Sequence, residues 1–302
     1  MDAAAGPVGS LPGAVAHAVG TALGPGLRVL AARPVGGGCI NEAARLETDR
    51  GPLFCKWHDA PPPGMFAAEA EGLAAMRAAG ADLHVPEPLA WRDGEEGGPG
   101  FLVTSWLERG RPGADFDTRL GEGLAALHTA SAPRFGFSRD GYCGTTPQPN
   151  SWLPRWVDFY RTRRLGHQTR LARDGGRLDG AQAALLERLL GRLDELLADD
   201  GEPPALIHGD LWSGNLYAGE DGLPALVDPA AHYAHREAEL GMMTLFGGFS
   251  DRVYAAYHAA RPLAPGWRER NGLYQLYHVL NHLNLFGGGY GAQALALARR
   301  YV

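Results

Sequence analysis

Two short apolar runs, Ala205-Leu206-Ile207 and Leu223-Pro224-Ala225-Leu226-Val227, flank the octapeptide His208-Gly209-Asp210-Leu211-Trp212-Ser213-Gly214-Asn215, and Asp228 follows the second run. This stretch constrains the fold most, because it spaces a carboxylate, an amide five residues later and a second carboxylate at the end of the next apolar run, as a catalytic loop would. Such a set suits phosphoryl transfer from a nucleotide: Asp210 orients an acceptor hydroxyl, while Asn215 and Asp228 hold a metal ion. A polar turn with Asp210 and Asn215 as turn formers is the plainer alternative. It accounts for a lone His-Gly-Asp triplet but not for the whole spacing.

The rest of the chain divides around this motif. Up to residue 107 the pattern is mainly β, with candidate strands at Leu27–Pro34, Glu42–Thr48, Leu53–Trp57, Glu87–Trp91 and Phe101–Trp106, and one main helix from Met65 to Ala79. Beyond it, helical periodicity covers 117–130, 151–165, 181–198, 236–247, 250–260 and 268–286. The expectation is an α+β, bilobal fold: a small β-rich lobe over 1–107, a larger helical lobe over 108–302, and a ligand cleft between them. The run from Asp93 to Gly100 reads as a solvated hairpin loop, and Gly287–Gly291 as a flexible connection between helices.

Gly36, Gly37 and Gly38 lie between the first two strands, where glycines let backbone N–H groups approach phosphate oxygens. Of the 28 Lys and Arg residues only Lys56 is a lysine, and it sits in the strand-like run Leu53-Phe54-Cys55-Lys56-Trp57 on the face of Phe54. On the following helix, Phe66, Glu69, Leu73 and Met76 share one stripe, which turns Glu69, and not Glu71, toward the core. A carboxylate there needs a cation, and a Lys56–Glu69 pair would clamp the phosphates of a nucleotide. The strand ending at Trp106 places the backbone of Ser105 and Leu107 where an adenine edge would meet a hinge. Trp212 admits two readings, a ring stacking on a sugar acceptor or a ring packed under the loop. His208 is expected to brace the loop by hydrogen bonding, and His232 and His235 to be structural. Cys39, within the glycine loop, is a possible redox switch, because the field that binds phosphate also favours a thiolate.

A net charge of −6, a pI near 6.0 and the absence of a basic tract argue against a nucleic-acid partner. No apolar run is long enough to span a bilayer, so no membrane partner is expected. Cys39, Cys55 and Cys143 form neither a disulfide framework nor a zinc pattern. The N-terminal stretch, with Asp2 and scattered Gly and Pro, makes a poor signal peptide, and a cytoplasmic location is expected. Monomer and homodimer remain equally open.

With these residues in view, the chain resembles the fructosamine (ketosamine) kinase family, a branch of the aminoglycoside-phosphotransferase-like, protein-kinase-like fold. The resemblance covers about residues 33 to 290. It rests on Gly36–Glu42, Met65-Phe66 leading to Glu69, Pro147–Trp152 with Trp156 and Phe159-Tyr160, and His208–Asn215. It continues through Asp228-Pro229-Ala230, His235-Arg236-Glu237, Leu245–Phe249 and Asn281–Gly287. It implies ATP- and Mg2+-dependent phosphorylation of the 3-hydroxyl of a ketosamine, free or protein-linked, whose unstable product releases the amine and so repairs glycated protein. Carried onto this chain, Asp210 would be the catalytic base, Asn215 and Asp228 the magnesium ligands, Lys56 and Glu69 the phosphate clamp, and Trp212 and His282 acceptor contacts. One departure stands out: Glu239 occupies the loop-bracing position where the family usually has Asp. The alternatives are a kinase of another small hydroxylated compound, such as an aminoglycoside, and a nucleotide-binding pseudokinase that senses redox state through Cys39.

Overall fold

A computed structural model gives the architecture and describes residues 11–36, 41–94, 99–197 and 201–302. Strands β1 (Val29–Pro34), β2 (Glu42–Thr48), β3 (Gly51–His58), β4 (Pro88–Arg92) and β5 (Gly100–Ser105) form one antiparallel sheet in the order β1-β2-β3-β5-β4. Successive side chains in a strand point to opposite faces, so each strand serves two helices. Cys55, Trp57, Phe101 and Val103 face α1 (Gly13–Leu23), packing against its Val15 and Val19. Leu102 turns to the other face and packs with Phe66, Leu73 and Met76 of α2 (Met65–Ala78). Lys56, paired in register with Leu102, lies on this second face. The sheet is therefore a layer between two helices, not a β unit with one helix as the sequence pattern suggested. Helix α1 escaped that reading because its apolar spacing at Val15, Ala18 and Val19 is short and diluted by glycines that weaken helical propensity.

The N-terminus of α2 lacks a cap of its own, since Gly64 precedes it. Asp93 supplies one from a distance, its Oδ1 accepting from the N–H groups of Phe66 (3.0 Å) and Ala67 (3.3 Å). That much of the expected 93–100 loop is structural, and residues 95–98 lie outside the described set.

The larger lobe follows with α3 (Phe116–Leu127), the hairpin β6 (Gly141–Cys143) and β7 (Thr146–Gln148), and a long helical segment from Trp156 to Asp174. The sequence pattern predicts helicity over 151–165. Helicity starts later, as α4 (Trp156–Phe159), widens into a π turn at Tyr160–Leu165 and continues as α5 (Gly166–Asp174). Within the π turn, Arg164 is 1% exposed. Its guanidinium stacks on Phe159 (4.6 Å) and donates to Pro149 O and Asn150 Oδ1, each at 2.7 Å. These bonds fix the Pro147–Trp152 segment against the core. Helix α6 (Gly180–Leu196) opens with a capping box between Asp179 and Gln182 and buries Leu186, Leu189 and Leu193. Strands β8 (Ala205–Ile207), β9 (Leu216–Ala218), β10 (Pro224–Leu226) and β11 (His232–Ala234) pair as β8–β11 and β9–β10. Helices α7 (Glu237–Leu245), α8 (Asp251–Ala260), α9 (Trp267–Phe286) and α10 (Tyr290–Ala298) complete the chain.

The two halves share a core. Phe66, Ala70, Leu73 and Met76 of α2 join Leu120, Leu124, Leu206, Leu211 and Leu240 in one buried cluster. Leu226 N–H donates to His84 O, and His84 N–H to Pro224 O, each at 2.8 Å. Glu71, on the side of α2 away from Glu69, takes Arg139 and Ser138, each at 2.7 Å. Helix α2 is thus held from both sides, which fixes where Glu69 points.

Candidate active site

The octapeptide forms the turn between β8 and β9, and Asp228 follows β10, so the two short strand pairs deliver their ends to one place. Gly209 has φ +81°, and a Cβ there would lie 2.3 Å from Ala230 O, so only glycine fits. His208 Nε2 donates to Val227 O (2.8 Å), which leaves Nδ1 to accept from Asp210 N–H (3.3 Å). Both ring nitrogens are thereby engaged, and burial lowers the imidazole pKa, keeping it neutral. The brace expected of His208 is in place.

Glu239, the position at variance with the family pattern, is fully buried, and its carboxylate accepts from His208 N–H (2.5 Å) and Gly209 N–H (3.1 Å). The longer side chain still reaches the loop backbone. Asn215 Nδ2 donates to Asp210 O (2.8 Å), and Val227 N–H donates to Asn215 O (3.1 Å), tying Asp210, Asn215 and the strand leading to Asp228 into one unit. Asp228 has φ +55°, alone among the described non-glycine residues in the left-handed region. That costs backbone energy, which is characteristic of a side chain aimed by function.

Across the cleft, Lys56 Nζ lies 2.5 Å from Glu69 Oε2 and 2.8 Å from Asp228 Oδ1. The stripe argument for Glu69 is thus matched by geometry, and the same cation also reaches Asp228. Burial works against the ammonium, but Asp228 and Glu69 outweigh it and hold its pKa above the usual lysine value. Asp228 is held below the usual carboxylate range, chiefly by Lys56. Glu69 is pushed up to about 7 by burial, with the Asp228 charge adding to it and Lys56 opposing it. Burial, then the negative charges of Asp228 and Glu239, raise Asp210 well above its ordinary value.

At the end of β5, Ser105 N–H is committed to Glu87 O (2.9 Å), and Leu107 O accepts from Tyr217 Oη (3.3 Å). An adenine edge would therefore have to use other backbone groups of that segment. Gly36 is exposed at the mouth of the β1–β2 turn, while Gly37, Gly38 and Cys39 lie outside the described residues. The Trp212 ring is 38% exposed and folds back over Gly214, where a Cβ would come within 2.2 Å of it. It lies on the loop and not under it. His282 presents a half-buried ring among Phe246 (5.2 Å), Tyr290 (5.1 Å) and Phe286 (5.6 Å), an aromatic patch that includes two exposed phenylalanines. His232 and His235 are buried, as expected of structural residues.

Cys143 and His278 each bring a donor atom within 4.8 Å of an Asp210 carboxylate oxygen. A thiol at residue 143 and an imidazole at 278 carry no linear signal connecting them to residue 210.

Among the described residues, no helix is long and apolar enough to cross a membrane. The sequence signature of a family described as fructosamine kinase matches residues 13–302. The chain is 42% identical to a candidate ketoamine kinase of Synechocystis sp. over 95% of each sequence. It is 37% identical to the chloroplastic protein-ribulosamine 3-kinase of Arabidopsis thaliana (89% of this chain, 81% of that one) and 35% identical to the ketosamine-3-kinase of Mus musculus (87% and 92%). Among solved structures, a candidate fructosamine-3-kinase of Thermobifida fusca superposes with a TM-score of 0.85 at 39% identity, covering 95% of this chain and 98% of its own. The aminoglycoside phosphotransferase APH(4)-Ia shares the fold alone, with a TM-score of 0.59 at 16% identity over 91% and 95%. The protein-kinase-like architecture and the sequence relatives agree, and the chain belongs to the fructosamine kinase family.

Proposed function

We propose that this protein transfers the γ-phosphoryl group of ATP to the 3-hydroxyl of a ketosamine, with Asp210 as the base that aligns the hydroxyl. The observation that carries this reading is the single assembly of Asp210, Asn215 and Asp228 opposite Lys56 and Glu69, together with membership of a family whose relatives are named ketosamine and ribulosamine 3-kinases. Positioning and charge neutralisation account for most of phosphoryl-transfer catalysis, and rigid elements hold every group here.

The residues present fit magnesium. Asn215 spends its donor end on Asp210, so its amide oxygen is the atom that can take a hard cation, and the Asp228 carboxylate is aimed by a strained backbone. The cation would offset charge on the phosphates. Lys56 has two carboxylates to itself here, and a nucleotide that draws Asp228 toward a metal would leave Lys56 to Glu69 and the phosphates. Ser105 and Leu107 belong to the backbone segment facing the base, the lobes divide near residue 107, and Trp212 with His282 flanks the acceptor. Among the described residues Cys55 and Cys143 are buried free thiols, which suit a reducing, cytoplasmic setting.

The test is ATP consumption with fructosyl-lysine, ribulosyl-lysine and an aminoglycoside side by side. Turnover with either ketosamine and not with the aminoglycoside is expected. The reverse preference would overturn the acceptor assignment.

A further inference from the structure

Beneath the catalytic loop, three side chains from three rigid elements converge. Cys143 Sγ at the end of β6, a ring nitrogen of His278 on α9 and a carboxylate oxygen of Asp210 all lie within 4.8 Å of one another. Cys143 and His278 are each 3% exposed. Cys143 Sγ receives the Asn281 amide at 3.2 Å, while the buried His278 Nδ1 meets no hydrogen-bond partner among the described residues. The proposed phosphoryl transfer uses neither Cys143 nor His278. We propose that Cys143, His278 and Asp210 form a binding site for one soft divalent cation of the zinc class, and that its occupancy blocks the kinase.

The donor set fixes the cation. Sulfur, imidazole nitrogen and one carboxylate oxygen are the ligands of tetrahedral zinc, with the fourth position left to water. Bonds of about 2.0–2.3 Å require the three donors to draw together by only about 1 Å. Magnesium, which demands an octahedron of oxygens, does not compete for such a set. On binding, Cys143 releases its thiol proton to solvent and forms the metal–sulfur bond, His278 donates a lone pair, and nothing is oxidised or reduced. Burial lowers the His278 pKa to about 3, so its lone pair is available at neutral pH. Asn281 already donates to the sulfur and would support the thiolate from the outer shell.

Binding stands independently of the proposed reaction, whereas inhibition rests on Asp210 being its base: a carboxylate engaged with zinc cannot receive the acceptor hydroxyl's proton. Linear spacing hides the site, because its ligands come from residues 143, 210 and 278.

The experiment titrates the metal-free full-length protein with Zn2+ against a chromophoric chelator, in excess Mg2+, and follows turnover in the same metal-buffered solutions. One zinc per chain is expected, with turnover falling as the site fills and returning on chelation. Cys143→Ser and His278→Gln should each weaken binding by at least roughly tenfold, a loss that removal of an outer partner alone can cause. Unchanged affinity in both variants overturns the site, as does zinc binding that leaves turnover intact for the inhibition. Should the variants fail to fold, X-ray absorption of the zinc-loaded wild type decides: one sulfur with nitrogen and oxygen neighbours is required, and a sulfur-free shell contradicts the proposal. Zinc binding by a protein that phosphorylates no ketosamine would refute the reaction while leaving the site.

Discussion

The side-chain amide of Asn215 donates to the main-chain carbonyl of Asp210 at 2.8 Å, so the residue proposed to hold the metal also fixes the backbone of the proposed base. The two roles are mechanically joined. Asn215→Ala should therefore lose more than a ligand. Both magnesium dependence and kcat should suffer, with kcat down by about 100-fold or more because a misplaced base costs that much. Steady-state kinetics across a magnesium series will check this. A variant whose kcat recovers fully at high magnesium would show that the amide only binds metal.

Glu239 offers a second mechanical test. Its buried carboxylate takes two backbone N–H groups of the loop, and a hydrogen bond to a charged group is worth roughly 1.5–3 kcal/mol. Glu239→Gln should lower the melting temperature and reduce kcat, since one oxygen becomes a donor facing donors. Glu239→Asp withdraws the carboxylate by about 1.5 Å and should fall between the two. Calorimetry with parallel kinetics reads both effects, and wild-type behaviour in Glu239→Gln would remove the brace from the account.

Gly209→Ala should be destabilising by about 3 kcal/mol or more, because the new methyl meets Ala230 O in a conformation that disfavours any side chain. Denaturant unfolding measures it. A change within error would mean that the loop relaxes freely.

The pH dependence has a definite sign. As the proposed base, Asp210 would have to be ionised to accept a proton, and burial with Asp228 and Glu239 raises its pKa well above the ordinary carboxylate value. The acidic limb of kcat/KM should therefore lie above the usual carboxylate range, with activity lost as pH falls through it. Glu69, raised from 4.5 to about 7, binds a proton in the folded state that the unfolded chain has released. Its contribution to stability is thus fully present below about pH 4.5 and declines as pH rises toward and past 7. The stability difference between wild type and Glu69→Gln should shift in favour of the variant across that window. A flat difference from pH 4 to 8, measured by denaturant unfolding, would count against the raised value.

Much of this site could be read in the chain because its signals are local. Asp210, Asn215 and Asp228 sit in one loop and its continuation. The helical stripe through Phe66, Leu73 and Met76 aimed Glu69 at the sheet, and strand alternation put Lys56 on the facing side. What escaped was non-local or weakly patterned. Helix α1 is short and glycine-diluted. The π turn around Arg164 answers to a cation that has to be buried against Phe159 and Asn150, which periodicity cannot register. Asp93 caps a helix through the N–H of Phe66, 27 residues earlier. Cys143 and His278 meet Asp210 only after β6, the catalytic loop and α9 have packed together.

If Asp210 is the base of an ATP-dependent ketosamine kinase, Asp210→Asn should separate nucleotide binding from phosphoryl transfer. The amide is nearly the same size and stays half-buried, so the cleft should survive. Phosphorylated ketosamine and nucleotide affinity should be measured on one preparation of this variant. Product formation should be abolished while ATP binds as it does to the wild type. Appreciable ketosamine phosphorylation by Asp210→Asn would contradict that role for Asp210.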